Sequence, residues 1–307
     1  MKIYLAPMEG ITTFVYRNAF QHYYGGIDKY FTPFLSSKKL NYKEVNDVHP
    51  EHNQGLAVTP QILTNQADTF LSITAQLADY GYQEVNLNLG CPSGTVVAKR
   101  RGAGFLSVPE ALDAFLEEIF TKCPLAISIK TRIGIDAIDE WDTLLSVYAK
   151  YPIKELIIHP RLQQEFYHGT PHTEAFRQAQ DALSIPLCYN GDIFSVDAYK
   201  ALAEQLAPTD TFMLGRGALA NPQLPALLKK STTNGTWDLN TFLAFHDEIV
   251  MGYRELMSGD QPVLFRMKEL WGYMGTHLNL SDKQLKKIRK TTRLTDYQEI
   301  IQSIFSH

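Results

Sequence analysis

EVNLNLGCPSG, Glu84 to Gly94, is the stretch on which the reading of the fold turns. The apolar-rich run Glu84 to Leu89 reads as a strand, and Gly90, Pro92 and Gly94 stop it in a turn. The same event recurs on both sides. Upstream lie IYLA (Ile3 to Ala6), KYFTP (Lys29 to Pro33) and LAVTPQI (Leu56 to Ile62). Downstream lie LAISIKT (Leu125 to Thr131), ELIIH (Glu155 to His159), PLCYN (Pro186 to Asn190) and TFMLG (Thr211 to Gly215). Helical segments separate these runs. One follows Ser107 and Glu110, which read as an S-x-x-E capping box ahead of Ala111, Leu112, Phe115 and Ile119, and another starts near Ser195. Eight strands alternating with helices fit a closed (β/α)8 TIM barrel better than an open sheet.

The strand pattern ends after Pro225, and STTNGTWD, Ser231 to Asp238, reads as a linker. Helical spacing then carries Phe242, Phe245, Ile249 and Tyr253, next Leu264, Met267 and Leu270, and last Leu285, Ile288, Tyr297, Ile300 and Ile304. The expected organisation is a barrel over residues 1–233 and a small helical domain from Asn234 to His307.

A chain of 307 residues, 45% hydrophobic and 20% charged, belongs to the globular class. It has no long apolar run and no signal-like start, which predicts a cytoplasmic protein. Cys91, Cys123 and Cys188 form no CxxC pair, which argues for free thiols and against a zinc site. The net charge of −4 is not that of an overall nucleic-acid binder, so any such binding needs a local basic surface. Two candidates are Lys99, Arg100 and Arg101, and the cluster Lys283, Lys286, Lys287, Arg289, Lys290 and Arg293.

In a barrel of this kind, function sits where strands end. The strand ends here are polar: Ala6-Pro7-Met8-Glu9, Gln61, Asn86 and Asn88 before Cys91, Lys130 and Arg132, His159 and Arg161, Asn190-Gly191-Asp192, and Gly215-Arg216. Glycines after the seventh and eighth strands suit backbone contacts to a phosphate, which implies a phosphorylated cofactor. Cys123 and Cys188 lie in or beside apolar runs and read as inert. Cys91 stands in a turn, and a mostly protonated thiol there can deliver a proton.

Together these pieces resemble the tRNA-dihydrouridine synthase family. The match is carried by APMEG at Ala6 to Gly10, Gln61, NLNLGCPS at Asn86 to Ser93 continuing to Gly102-Ala103-Gly104, IKTRIG at Ile129 to Gly134, NGDI at Asn190 to Ile193, and LGRGALANP at Leu214 to Pro222. The resemblance implies a barrel that binds FMN tightly, NADPH as electron donor, and a helical domain that helps hold tRNA. It places Pro7, Met8, Glu9, Gln61, Lys130, His159, Asn190, Gly191, Asp192, Gly215 and Arg216 at FMN, with Lys130 stabilising negative charge at N1 and C2=O of the reduced ring. It makes Cys91 the general acid, sets Asn88 between flavin and uracil, and keeps Arg161 on the substrate side. One departure stands out: Pro160 separates His159 from Arg161 where the family more often has a small residue, which bears on the loop through Phe166 and His168.

The implied reaction reduces the C5=C6 bond of a D-loop uridine, with hydride from flavin N5 to C6 and a proton from Cys91 to C5. The base must leave its stack, so phosphate contacts from Lys99, Arg100, Arg101, Lys286, Lys287 and Lys290 are expected to offset that cost. The expected enzyme is a metal-free monomer. Two rival readings are a dihydroorotate-dehydrogenase-like oxidoreductase on a free pyrimidine and a non-catalytic tRNA-binding protein. The basic tail argues against the first, and Cys91, Lys130 and Asn190 argue against the second.

Overall fold

The computed structural model describes residues 1–232 and 237–305. The strands are β1 (Lys2–Leu5), β2 (Lys29–Phe31), β3 (Val58–Thr59), β4 (Gln61–Ile62), β5 (Glu84–Leu89), β6 (Ala126–Arg132), β7 (Leu156–His159), β8 (Leu187–Tyr189) and β9 (Thr211–Leu214). They pair in parallel in the order β3-β2-β1-β9-β8-β7-β6-β5-β4. The two ends of that order are one stretch of chain, interrupted only at Pro60, so the sheet closes into the expected barrel. LAVTPQI, read as one strand, is thus two short ones. Proline cannot donate to a ladder. The chain pairs with β2 before Pro60 and with β5 after it, where the Asn86 N–H donates to the Pro60 carbonyl at 2.8 Å.

The strand period of two divides each strand between an outer face and the barrel lumen. Tyr4, Ala6, Phe31, Ile157, Cys188 and Met213 form a separate apolar cluster that fills the lumen. The large core between strands and helices is built from the alternate set, including Ile3, Leu5, Val85, Leu87, Leu89, Ile127 and Ile129. Cys188 is buried and its thiol is pushed well up by burial, in keeping with an inert core cysteine.

Ser195 caps the helix Val196–Gln205 by accepting from the Ala198 N–H at 3.1 Å, as expected. The box at Ser107 does not form. The helix begins at Pro109, behind Val108, and the Ser107 hydroxyl instead donates to the Gly104 carbonyl at 2.9 Å. A 3-10 turn over Gly102–Ser107 captures that hydroxyl before the helix starts.

Beyond the barrel lie helices Leu239–Leu256, Asp260–His277, Asp282–Lys290 and Leu294–Phe305. Their apolar stripes bury Phe242, Phe245, Ile249, Tyr253, Leu264, Met267, Leu270, Ile288 and Tyr297. Phe245 also packs edge-on against Tyr16 and Tyr24 of the barrel, with centroids 5.7 and 5.2 Å apart. The expected boundary at 233/234 lies outside the described residues. No described helix is long and apolar enough to cross a membrane.

Candidate active site

A cavity of about 330 Å³ opens at the C-terminal mouth of the barrel. Ala6, Pro7, Met8 and Glu9 enter it after β1, and Gln61 enters from β4. Asn88 and Cys91 come from β5 and its loop, Lys130 and Arg132 from β6, and His159 from β7. Asn190, Gly191 and Asp192 follow β8, and Gly215 and Arg216 follow β9. The strand registers explain the convergence. Asn88 pairs with Lys130, two residues above the Asn86 to Ser128 pair, so both point into the lumen at one level.

The Cys91 loop is held from below. The Asn88 side-chain oxygen accepts the N–H groups of Gly90 at 3.0 Å and Cys91 at 2.9 Å. Its amide nitrogen donates to Gln61 Oε1 at 2.8 Å. The loop returns past Gly102, whose φ of 55° favours glycine, and a side chain there would meet the Cys91 carbonyl at 2.9 Å and its Cβ at 3.0 Å. Cys91 is half-buried. Burial raises its thiol above the ordinary value, so the protonated form predominates at neutral pH.

Lys130 is half-buried and has no hydrogen-bond or ion-pair partner among the described residues. Burial and the neighbouring Arg132 guanidinium pull its ammonium down to about 8. Arg132 donates to three carbonyls, those of Gly90 at 3.0 Å, Leu162 at 2.8 Å and Phe166 at 2.7 Å. It therefore ties the loop after β5 to the loop after β7. His159 is held well below its ordinary value by burial and then by Arg132, Lys130, Arg161 and Arg216, which keeps it neutral. The carboxylates that line the cavity are paired away from Lys130: Glu9 with Lys43, Asp192 with Arg161 and Arg216, and Glu269 with Arg266.

Arg161 does not line the cavity. It is fully buried and donates to Asp192 Oδ2 at 2.6 Å, to the carbonyls of His168 at 3.1 Å and Gly169 at 2.7 Å, and pairs with His159 Nε2 at 3.1 Å. Its guanidinium is occupied with shaping the His159 to Gly169 loop, and the Pro160 carbonyl accepts the His172 N–H at 2.7 Å beyond that loop. Asp192 is shared between Arg161 and Arg216. Glu9 sits at the rim, bound to Lys43 at 2.8 Å.

Lys99 and Arg100 are exposed beside the mouth, outside the cavity, and Asn65 pins their loop through the Lys99 carbonyl and Arg101 Nε. Lys286, Lys287 and Lys290 are exposed on the helix Asp282–Lys290, away from the cavity wall. Five lining residues lie outside the sequence reading: Ile11, Phe34, Tyr167, Glu269 and Tyr273. Tyr167 stacks on His159 and lies under Arg216, whose guanidinium is 4.6 Å from the ring centre. Glu269 and Tyr273 belong to the tail helix Asp260–His277, which packs on Arg216–Ala220, so the tail forms part of the cavity wall. No local sequence signal marks them.

Known proteins resemble this chain in sequence and in fold. A family model described as dihydrouridine synthase matches residues 4–301. The tRNA-dihydrouridine(16) synthase of Pseudomonas putida is 30% identical over 234 residues, spanning 73% of this chain and 72% of that protein. The probable tRNA-dihydrouridine synthase 2 of Bacillus subtilis is 30% identical over 232 residues, spanning 71% and 69%. The tRNA-dihydrouridine synthase B of Pasteurella multocida is 27% identical over 227 residues, spanning 73% and 67%. Among solved structures, a variant of NCR from Zymomonas mobilis superposes with a TM-score of 0.51 at 14% identity, covering 78% of this chain and 90% of that one. Morphinone reductase gives 0.50 at 13%, covering 78% and 88%. At such identities the structural likeness speaks for the barrel alone. The match along nearly the whole sequence, together with relatives at 30% identity, places the chain in the dihydrouridine synthase family.

Proposed function

We propose that this chain is a tRNA-dihydrouridine synthase: it reduces the C5=C6 bond of a D-loop uridine in tRNA, with FMN as redox cofactor and NADPH as electron donor. The observation that carries the reading is the meeting, in one cavity, of an unpartnered Lys130 ammonium and a protonated Cys91 thiol. The donor set fits a flavin. Lys130 offers positive charge to the electron-rich N1 and C2=O edge. Gln61 and Asn88 offer amide donors and acceptors, Asn190 is fixed by donating to the Met213 carbonyl at 2.9 Å, and Gly191, Gly215 and Arg216 line the part suited to a phosphate. Pro7 and Met8 supply apolar wall.

When bound, FMN supplies the hydride that adds at C6 of the uracil. The electron pair of the alkene then needs a proton at C5, and Cys91 Sγ holds it; the thiolate recovers its proton from solvent. His159, kept neutral, and Arg161 with Asp192 hold the loop that closes one side of the site. Lys99, Arg100 and Arg101 beside the mouth meet phosphates near the extruded base, and Lys286, Lys287 and Lys290 meet the backbone further off. In this reading the barrel over 1–233 does the chemistry, the helices after Asn234 orient the RNA, and the enzyme works as a cytoplasmic monomer.

The test is Cys91→Ala. Reduction of the bound flavin by NADPH is expected to keep its native rate, while uridine reduction in unmodified tRNA slows about 100-fold or more. Equal dihydrouridine formation, mapped by mass spectrometry, removes Cys91 from the chemistry. Turnover of free uridine or orotate in place of tRNA overturns the substrate.

A further inference from the structure

We infer that Asn86 and Ser128, neither of which lines the cavity, are positioning residues for proton delivery at Cys91, acting through a one-way chain of hydrogen bonds that runs inside the barrel wall. The inference rests on the proposed function for its catalytic readout, and on geometry for the chain itself.

The links all point in one direction. The Gly90 and Cys91 N–H groups donate to Asn88 Oδ1. Asn88 Nδ2 donates to Gln61 Oε1 at 2.8 Å, Gln61 Nε2 to Asn86 Oδ1 at 2.8 Å, and Asn86 Nδ2 to Ser128 Oγ at 3.0 Å. The Ser128 hydroxyl proton has its acceptors on the far side, the Val85 carbonyl at 3.3 Å and the Glu84 carboxylate, which that hydroxyl helps to keep ionised. Strand pairing builds the ladder: Gln61 on β4, Asn86 on β5 and Ser128 on β6 are register partners across adjacent strands. Asn86 and Ser128 are both 0% exposed, so bulk solvent does not reach either group.

An amide side chain can face either way, and what fixes it is the bonding at its ends. Here both ends are locked. Backbone N–H groups demand an oxygen from Asn88, and a hydroxyl whose proton is directed away demands an N–H from Asn86. With both locks in place, Gln61 and Asn88 each present one defined edge to the cavity, and the Cys91 loop is drawn down onto β5. Severing the chain in the middle leaves Gln61 Nε2 unpaired and both amides free to turn. Sequence position alone makes Asn86 and Ser128 look like ordinary lumen residues.

The experiment uses the flavin-loaded enzyme and two readouts: the separate rates of flavin reduction by NADPH and of reoxidation by tRNA, and the rate at which iodoacetamide alkylates Cys91, mapped by mass spectrometry. Asn86→Leu, similar in branching but without polar atoms, is expected to stay loaded at saturating FMN, with reduction of the bound flavin by NADPH near native. It slows reoxidation by tRNA about tenfold or more and changes Cys91 alkylation several-fold. Asn86→Asp, protonated in this fully buried setting, should restore most of both, because one carboxyl oxygen still accepts from Gln61 Nε2 and its O–H donates to Ser128 Oγ in place of the amide N–H. The inference fails if Asn86→Leu reoxidises at the native rate with native alkylation, if flavin content and both half-reactions fall together with the melting temperature, or if Asn86→Asp is no better than Asn86→Leu. Should Asn86→Leu not fold, Ser128→Ala, which removes one hydroxyl, decides by the same readouts. A native enzyme inert toward tRNA sinks the proposed function instead, and Cys91 alkylation in the variants still decides the chain.

Discussion

The two ends of the barrel are both charged, and they treat charge differently. At the bottom, Lys29 lies between Glu84 at 3.3 Å and Glu155 at 3.2 Å, Lys154 reaches Glu84 at 2.8 Å, and the Tyr4 hydroxyl donates to Glu155 at 2.8 Å. Two cations meet two carboxylates, and the group is closed. Burial would raise the Glu84 carboxyl, but Lys29, Lys154 and Ser128 outweigh it and hold it below its ordinary value. At the mouth, Asp192 pairs with Arg161 and Arg216, while Glu9 is taken by Lys43, Glu165 by His172 and Glu269 lies beside Arg266, so no carboxylate among the described residues pairs with Lys130 or Arg132. Lys130 bears the cost, with its ammonium pulled down to about 8. The same kind of residue therefore stabilises the fold at one end and waits for an anionic ligand at the other, as expected for a barrel whose lower face serves stability and whose upper face serves function.

Breaking the bottom should have the largest effect on stability and little on chemistry. Glu155→Ala strands the Tyr4 hydroxyl and half of the Lys29 ion pairing. A drop of about 2–3 kcal/mol in unfolding free energy is expected, on the low side for a broken buried pair because Glu84 remains. Denaturant titration measures it, and turnover per folded molecule should be native. A loss of turnover without a loss of stability would erase the distinction between the two ends.

At the mouth the signs reverse. Lys130→Met removes an uncompensated, half-buried charge, so the flavin-free protein should be no less stable, whereas flavin affinity should fall about tenfold or more, the worth of one charge-assisted hydrogen bond. The pH dependence follows from the direction of the shift. The folded-state pKa of Lys130, about 8, lies below the unfolded lysine value, so folding disfavours its protonated form. Stability of the flavin-free protein should therefore rise as pH climbs from about 8 towards 10, and flavin affinity should decline over the same range. Both trends should vanish in Lys130→Met. A flat affinity from pH 7 to 10 in the native protein would mean that Lys130 is not the group that meets the cofactor.

Much of this contrast is legible in the sequence, because a period of two and the strand-end rule need only local information. They place Gln61, Asn88, Lys130, His159 and Asn190 at one rim, and the structure brings them together. Local information fails where an element's partner is remote. Pro60 divides a strand because two different neighbours, β2 and β5, compete for one segment. Ser107 gives up a cap because a 3-10 turn satisfies its hydroxyl first. The resemblance keeps Arg161 on the substrate side, and its guanidinium bonds Asp192 and two carbonyls that come from remote parts of the loop. Glu269 and Tyr273, more than fifty residues beyond the last strand, reach the cavity only through the packing of their helix.

The tail sharpens the comparison at the smallest scale. Lys283, Lys286, Lys287, Arg289 and Lys290 are exposed on the helix Asp282–Lys290, whose inner face buries Ile288, and no salt bridge among the described residues neutralises Lys286, Lys287 or Lys290. Like Lys130 they are cations without partners, but they stand in water, so their cost to the fold is slight and their reward comes only through released counterions. Replacing Lys286, Lys287 and Lys290 together by alanine should leave stability and flavin content unchanged and raise the KM for tRNA several-fold near physiological salt. The slope of log affinity against log salt concentration should shrink by roughly 2–3, about 0.7–0.9 for each phosphate that is no longer neutralised. If the slope stays native, the RNA does not lie on this helix. The loop of Lys99, Arg100 and Arg101, already beside the mouth, would then have to neutralise the phosphates, and the same salt titration on variants of that loop would show it.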